Sequence, residues 1–224
     1  MSAAVSIGDL FQVLLPRDCS NGWLAMLTAY FDDAGTHKGG RWGPSRIVAV
    51  AGIIGTEGEL RGLESEWRKH LDRPLCGGKP TLRRFHMYDC QNSIGELSEW
   101  SRTETDYFCH QLGTVIAESG VSGYGMACSR SDWEELVTDD VLAIMGDCEG
   151  HCMRNCFLRA AQWAQNNTFD PQMTFVFDAF DDRPLRQHDN KIVLDVFQRW
   201  IAPPEIVGMA FMSSFKVLPL QAAD

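Results

Sequence analysis

The sequence lacks several motifs that would define its chemistry directly. It has no Cys-x-x-Cys pair, no Gly-x-x-x-x-Gly-Lys-Ser/Thr loop, no Gly-x-Gly-x-x-Gly after a strand and no Gly-x-Ser-x-Gly elbow. These absences argue against a P-loop nucleotide hydrolase, a dinucleotide-binding enzyme and an α/β-hydrolase. A Cys–His nucleophile pair stays open, because the chain has eight cysteines, although nothing singles out one of them.

Long apolar runs and a basic N-terminal region are also missing. No uninterrupted apolar stretch approaches the ~18 residues that a membrane span needs, and Asp9 interrupts the short apolar run near the N-terminus. We therefore expect a cytoplasmic protein without a membrane partner. In that compartment the cysteines should be mostly buried thiols rather than a disulfide framework.

Basic residues are fewer than acidic residues in this chain. The 20 Lys and Arg residues face 30 Asp and Glu residues, for a formal net charge of −10, which argues against coating nucleic acid or membrane through bulk charge. Residues 61–84, here called the basic segment, reverse this sign with a net charge of +4. The basic segment either lines a phosphate-binding groove or is a solvated amphipathic helix followed by a basic loop.

The hydrophobic content of 45% over 224 residues suits a single ordered domain. We expect this domain to span 1–224, with an irregular lead-in at 1–22. Apolar runs predict an opening antiparallel pair over about 23–32 and 46–55, with later strands near 82–88, 121–129, 173–180 and 206–212. In the strand at 173–180, alternation puts Met173, Phe175 and Phe177 on one face. Helical spacing, as of Leu60, Leu63 and Trp67, predicts helices over 59–71, 146–166 and 189–201 and a helical patch from Ser131. The capping-box pattern of Ser101 and Glu104 predicts the start of a helix over 101–118. This order predicts an α/β domain with a mixed sheet.

Acidic residues stand where two apolar strands end. Asp32 and Asp33 follow Phe31, and Asp178 follows Phe177. In open α/β sheets, sites form beyond the carboxyl ends of strands, so parallel neighbours would place two carboxylates about 5 Å apart. Such like charges repel unless a divalent cation lies between them, and oxygen ligands suit Mg²⁺ or Mn²⁺. The alternative is that these aspartates are ordinary turn or helix-capping residues.

Histidine and cysteine supply two further candidates. His86 stands three residues before Asp89; it is either a metal ligand, a general base or a substrate contact, or a satisfied structural residue. Cys148, Cys152 and Cys156 recur at every fourth position. On a helix the outer two lie ~12 Å apart along the axis, too far for one tetrahedral zinc, so we expect this stripe to pack in the core.

Four short motifs, taken in order, resemble those of one family. They are Phe31-Asp32-Asp33-Ala34-Gly35, Phe85-His86, Phe177-Asp178 and Leu220-Gln221-Ala222-Ala223-Asp224. The family is domain-of-unknown-function family 3800, a group of bacterial and phage proteins that looks like a branch of the ribonuclease H-like fold. Asp33 stands where that family commonly has Glu. Asp224 is the last residue of this sequence, where the family motif continues into a helix.

The resemblance implies a ribonuclease H-like mixed sheet, with antiparallel opening strands, then parallel strands, flanked by helices. It implies a site for Mg²⁺ or Mn²⁺ built from Asp32, Asp178 and Asp224, with Asp33 and His86 assisting catalysis. Within the basic segment, the candidate contacts to the phosphates of DNA or RNA are Arg68, Lys69, Arg83 and Arg84.

The sequence therefore leaves two alternative functions from different classes. The first is a divalent-metal-dependent nuclease or a related phosphodiester-cleaving enzyme. The second is a non-catalytic binding or accessory module on the same fold, linked to phage or mobile-element biology, which the net charge of −10 favours. The seven tryptophans and an apolar last strand leave room for a homodimer face.

Overall fold

A computed structural model describes residues 27–34, 47–74, 78–167, 173–178 and 206–212. For 27–34, 144–145, 178 and 206–212 it describes the backbone alone. The predicted lead-in at 1–22, the predicted helix at 189–201 and Asp224 lie outside these residues.

The strands are β1 (Leu27–Ala34), β2 (Ile47–Thr56), β3 (Ser122–Ser129), β4 (Met173–Asp178) and β5 (Ile206–Met212). They form one sheet in the order β3-β2-β1-β4-β5. β2 runs antiparallel to both β1 and β3, whereas β4 runs parallel to both β1 and β5. The predictions of an α/β protein and of an antiparallel opening pair are confirmed.

The helices are α1 (Glu57–Asp72), α2 (Met87–Asn92), α3 (Arg102–Glu118), α4 (Arg130–Leu136), α5 (Asp139–Met145) and α6 (Cys148–Asn167), with a 3-10 turn at Gly95–Leu97. The predicted helices at 59–71, 101–118 and 146–166 correspond to α1, α3 and α6. Among the described residues, no helix combines the length and apolar character needed to span a membrane.

Helix α3 begins with the capping box expected from Ser101 and Glu104. The Ser101 hydroxyl accepts a hydrogen bond from the Glu104 N–H at 3.3 Å, and Glu104 Oε2 accepts one from the Ser101 N–H at 2.7 Å. Thr56 and Glu59 cap α1 in the same way. These caps satisfy N–H groups that have no partner within the helix.

The strand predicted over 82–88 is wrong. Residues 82–86 belong to no strand, and α2 begins at Met87. Leu82 and Phe85, the apolar residues that resembled a strand, are instead buried against α1 and α3. A backbone bond from the Leu82 N–H to the Leu71 carbonyl, 2.8 Å long, attaches this segment to the end of α1.

Each face of the sheet carries its own core. The α1/α3 core contains Trp67 and Phe108 from the helices together with Ile53 and Val176 from the strands. The α6 core, on the other face, contains Phe157 and the strand residues Val48, Val50, Ile54, Met173, Phe175 and Phe177. Neighbouring residues such as Val176 and Phe177 therefore enter different cores, as strand alternation requires.

Candidate functional site

The parallel pairing of β1 with β4 brings two aspartate positions together. Leu27–Phe31 pair in register with Met173–Phe177, and the last pair is Phe31 with Phe177. Asp32 and Asp178 are the next residues on the two strands. Neighbouring strands lie about 4.8 Å apart, so these backbone positions are adjacent near the carboxyl ends of both strands. The Asp32, Asp33 and Asp178 side chains lie outside the described part of the protein, as does Asp224.

The pairing of β1 with β2 places the Asp32 and Asp33 positions on opposite faces of the sheet. The Asp32 position lies opposite Ala51 and the Asp33 position opposite Val50. Ala51 is exposed, whereas Val50 is buried in the α6 core. Since opposite residues of an antiparallel pair share a face, the Asp32 position belongs to the face that carries α1 and α3. The Asp33 position belongs to the face that α6 covers.

His86 directly precedes α2 and caps it. Its backbone is extended, with φ −146° and ψ 123°, and its Nδ1 accepts a hydrogen bond from the Tyr88 N–H at 3.2 Å. A ring nitrogen that accepts carries no proton, so this geometry corresponds to the neutral tautomer with the proton on Nε2. The Tyr88 ring stands edge-on to the imidazole at 6.4 Å. The cap is a structural role for His86, and it engages Nδ1.

The α1/α3 core connects His86 to the sheet. Phe85, the residue before His86, lies 5.9 Å from the Trp67 ring and 6.2 Å from the Phe108 ring. The same core includes Val176, which stands two residues before Asp178. The structure therefore places the start of α2 and the Asp178 position on the same face of the sheet.

A cavity of about 290 Å³ lies beside His86 and is lined by Arg83, Arg84, Asp89 and Glu96. Arg84 Nη2 lies 3.1 Å from Asp89 Oδ2. The Arg83 guanidinium pairs with Glu96, which also accepts a hydrogen bond from the Arg83 N–H at 2.8 Å. Both arginines are thus already paired with carboxylates. A phosphate entering the cavity would therefore compete with Asp89 and Glu96 for the two guanidinium groups.

Ion pairs recur along the rest of the basic segment. Lys69 pairs with Glu66 and Arg61 with Glu57, both within α1, and Lys79 Nζ lies 3.1 Å from Glu104 Oε2. The residues that line the cavity beside His86 do not include Arg68 or Lys69, which lie on α1. For α1 the solvated amphipathic helix is the better description, with Leu60, Leu63, Trp67 and Leu71 buried. Phosphate contact by Arg68, Lys69, Arg83 and Arg84 stays a prediction.

The cysteine stripe of α6 packs in the core as expected. Cys148, Cys152 and Cys156 are buried, and the Cys156 Sγ lies 3.3 Å from the Val50 carbonyl oxygen. Burial raises the pKa of Cys156 to about 12 and that of Cys152 to about 11. Because the thiolate is the nucleophile, these two cysteines are poor candidates for nucleophilic catalysis.

An ion pair that the sequence did not predict joins α4 to α6. Arg130 Nη2 lies 2.6 Å from Glu149 Oε1, and 18% and 8% of the two side chains are exposed. The hydrogen bond to Glu149 raises the pKa of Arg130 despite the opposing effect of burial. The two residues are 19 positions apart, and their spacing gives no local signal of the contact.

The acidic metal site stays a prediction. Among the side chains that the structure describes, no group of three or more His, Cys, Asp or Glu residues could hold a metal ion. That search did not include the side chains of the predicted ligands Asp32 and Asp178, nor Asp224.

Comparisons of the chain with family models, with curated proteins and with solved structures found no match.

Proposed function

We propose that this protein is a divalent-metal-dependent nuclease, or a related phosphodiester-cleaving enzyme, with the ribonuclease H-like fold of domain-of-unknown-function family 3800. One observation carries the proposal: Phe31 and Phe177 are register partners in parallel strands, and an aspartate follows each. The strand order β3-β2-β1-β4-β5, with antiparallel pairs on one side and parallel pairs on the other, supports the fold.

The donor set fits a divalent ion that prefers oxygen. Two carboxylate positions about 5 Å apart suit Mg²⁺ or Mn²⁺, because a cation between them removes the repulsion of like charges. We assign Asp32 and Asp178 as ligands and Asp224 as the third. Asp33 belongs by register to the opposite face, so we assign it no metal contact. The bound ions would activate a water molecule and stabilise the leaving oxygen of a phosphodiester.

The remaining residues would bind the substrate and handle protons. His86 would donate its Nε2 proton to a phosphate oxygen or to the leaving oxygen, because Nδ1 accepts a hydrogen bond from the Tyr88 N–H. Arg83 and Arg84 would exchange Glu96 and Asp89 for phosphate oxygens, which guanidinium groups bind in a bidentate manner. Binding would then be strongly salt-dependent.

A non-catalytic binding module on the same fold is the second candidate. The pairing of Arg83 with Glu96 and of Arg84 with Asp89 favours it, because arginines that are already paired with carboxylates attract a phosphate less strongly. Such a module would bind its partner without any divalent ion.

The two candidates differ in the effect of Asp32→Asn. The substitution keeps the size of the side chain and removes the carboxylate charge, so Mn²⁺-dependent cleavage of single-stranded DNA, duplex DNA, RNA and hybrid substrates should be lost. Asp106→Asn is the matched control, since Asp106 is exposed on α3 and pairs with Arg102. Cleavage that is equal in Asp32→Asn and in the control would overturn the proposal. If the wild-type protein binds a nucleic acid without cleaving it, and this binding does not depend on Mn²⁺, the result would support the non-catalytic module.

A further inference from the structure

Two free thiols face each other between α2 and α3. The Sγ atoms of Cys90 and Cys109 lie 3.0 Å apart, about 1 Å longer than a disulfide bond. We propose that Cys90 and Cys109 form a reversible disulfide, which makes this pair an oxidative modification site that joins the two helices covalently. The inference does not depend on the proposed nuclease function.

The surroundings of the two sulfurs favour this bond. Cys90 is buried, with 3% of its surface exposed, and its Sγ also lies 3.8 Å from the Thr105 carbonyl oxygen. Cys109 is half-buried, so a small oxidant can approach it from solvent. The pair thus has one accessible sulfur and one shielded sulfur.

Burial and proximity also define the order of the steps. Burial, followed by the contact with Cys109, raises the pKa of Cys90 to about 12, so Cys90 is not the first nucleophile. Instead, the Cys109 thiolate attacks a low-molecular-weight disulfide such as oxidised glutathione, forms a mixed disulfide and releases one small thiolate. In that intermediate the contribution of the Cys109 thiol to the raised pKa of Cys90 disappears, whereas burial, the largest cause, still raises it.

The second step completes the bond. Cys90 loses its proton and attacks the Cys109 sulfur of the mixed disulfide, which releases the second small thiolate. Two protein thiols are oxidised by two electrons in total, and the small disulfide is reduced to two thiols that take up the two protons. An excess of reduced small thiol reverses both steps.

The bond would restrain α2, the helix that His86 caps. The Cys90 N–H donates to the His86 carbonyl oxygen at 3.1 Å, and the preceding residue, Asp89, pairs with Arg84. The disulfide would therefore fix one side of the cavity beside His86. It would also close a loop of about 20 residues, which should raise Tm by roughly 5–10 °C.

Other cysteines provide the comparison. Cys152 and Cys156 direct their sulfurs at backbone carbonyls of β2. Cys148 and the half-buried Cys128 are in contact, and burial, followed by this contact, raises the pKa of Cys148. Among the cysteines that the structure describes, Cys128 and Cys148 are thus the main competing pair, and an experiment must resolve which cysteines are linked.

The test equilibrates the full chain in glutathione buffers of increasing oxidised fraction. The remaining thiols are alkylated, and the peptides are mapped by mass spectrometry without reduction. We expect a linked Cys90–Cys109 peptide that dithiothreitol removes, together with the rise in Tm. Cys109→Ser should abolish this link and leave Cys90 alkylated after unfolding, whereas Cys128→Ala, the matched control, should retain it. Circular dichroism confirms that each variant is folded.

Three results would overturn the proposal. The first is that Cys90 and Cys109 both stay alkylatable in the most oxidising buffer. The second is that glutathione remains attached to Cys109 while Cys90 stays free. The third is that the linked peptide joins Cys128 to Cys148 instead.

Discussion

The ring of Phe177 packs 5.4 Å from the ring of Phe157. Phe177 lies in β4 and directly precedes Asp178, so this contact holds the strand next to a candidate ligand. Phe177 is also the register partner of Phe31, which precedes Asp32. The α6 core thus supports the strand that positions one of the two candidate ligands. A substitution in the α6 core should lower the stability of the protein, and it should affect the candidate site only by disturbing β4.

Phe157→Ala should lower the free energy of unfolding by about 3–5 kcal/mol, because a fully buried ring leaves a cavity behind. Phe157 has none of its surface exposed and also lies 4.8 Å from the Phe175 ring. Urea denaturation followed by circular dichroism measures the loss. The neighbouring Leu158, which is 44% exposed, is the control, and Leu158→Ala should cost less than about 1 kcal/mol. Equal losses in the two variants would contradict the assigned core.

Asp89→Asn should strengthen the binding of nucleic acid by about threefold to tenfold, because it releases Arg84 from a carboxylate at 3.1 Å. Arg84→Gln should weaken binding and reduce its salt dependence. Fluorescence anisotropy at two salt concentrations measures both effects. Asp106→Asn removes the same charge from the exposed pair with Arg102, and it should leave the salt dependence unchanged. An Asp89→Asn affinity no higher than that of Asp106→Asn would argue against phosphate binding in this cavity.

Glu104→Gln should lower Tm at pH 7 and have a diminishing effect as the pH falls. The Ser101 N–H and hydroxyl, and then Lys79, hold the pKa of the Glu104 carboxyl below its usual 4.5. A group with a lowered pKa stabilises the folded state above its unfolded pKa, and this stabilisation is lost as pH falls through the folded pKa. Thermal unfolding between about pH 7 and pH 3 should show the two proteins converging.

Glu99→Gln is the control for this pH dependence, since Glu99 is an exposed residue that precedes the same helix. Its Tm should follow that of the wild-type protein across the range. A Glu104→Gln difference that stays constant down to the lowest pH would contradict a role for the ionised carboxylate in the cap.

Glu149→Gln should destabilise the protein by about 3 kcal/mol, because it leaves the partly buried Arg130 guanidinium without its counter-charge. Only 8% of the Glu149 side chain is exposed. The double variant Arg130→Met/Glu149→Leu should recover most of this loss, since it removes both charges. Urea denaturation of the single and double variants measures the effect. Arg61→Gln, in an exposed pair with Glu57, should change stability by less than about 1 kcal/mol.

Local patterns in the sequence predicted much of the fold. The spacing of Leu60, Leu63 and Trp67 predicted α1, and Ser101 with Glu104 predicted the start of α3, because helical period and caps depend on nearby residues. The alternation of Met173, Phe175 and Phe177 predicted the face of β4 that enters the α6 core, where all three lie.

Contacts between distant residues were not predictable in the same way. The apolar residues Leu82 and Phe85 resembled a strand, yet they pack between helices because the α1/α3 core needs them there. The Arg130–Glu149 pair depends on how two separate helices, α4 and α6, meet. The parallel register of β1 with β4 joins residues more than 140 positions apart. The sequence showed that each strand ends in an acid, but the residue pairs of this register could not be read from local patterns.

Binding of Mn²⁺ to the wild-type protein, to Asp32→Asn and to Asp178→Asn tests the central claim most directly. Isothermal titration calorimetry, with Asp106→Asn as the control, measures affinity without any assumption about the substrate. The adjacent positions of Asp32 and Asp178 predict that each substitution weakens Mn²⁺ binding by tenfold or more, while the control binds like the wild type. Wild-type affinity in both Asp32→Asn and Asp178→Asn, or no Mn²⁺ binding by the wild-type protein, would contradict the account.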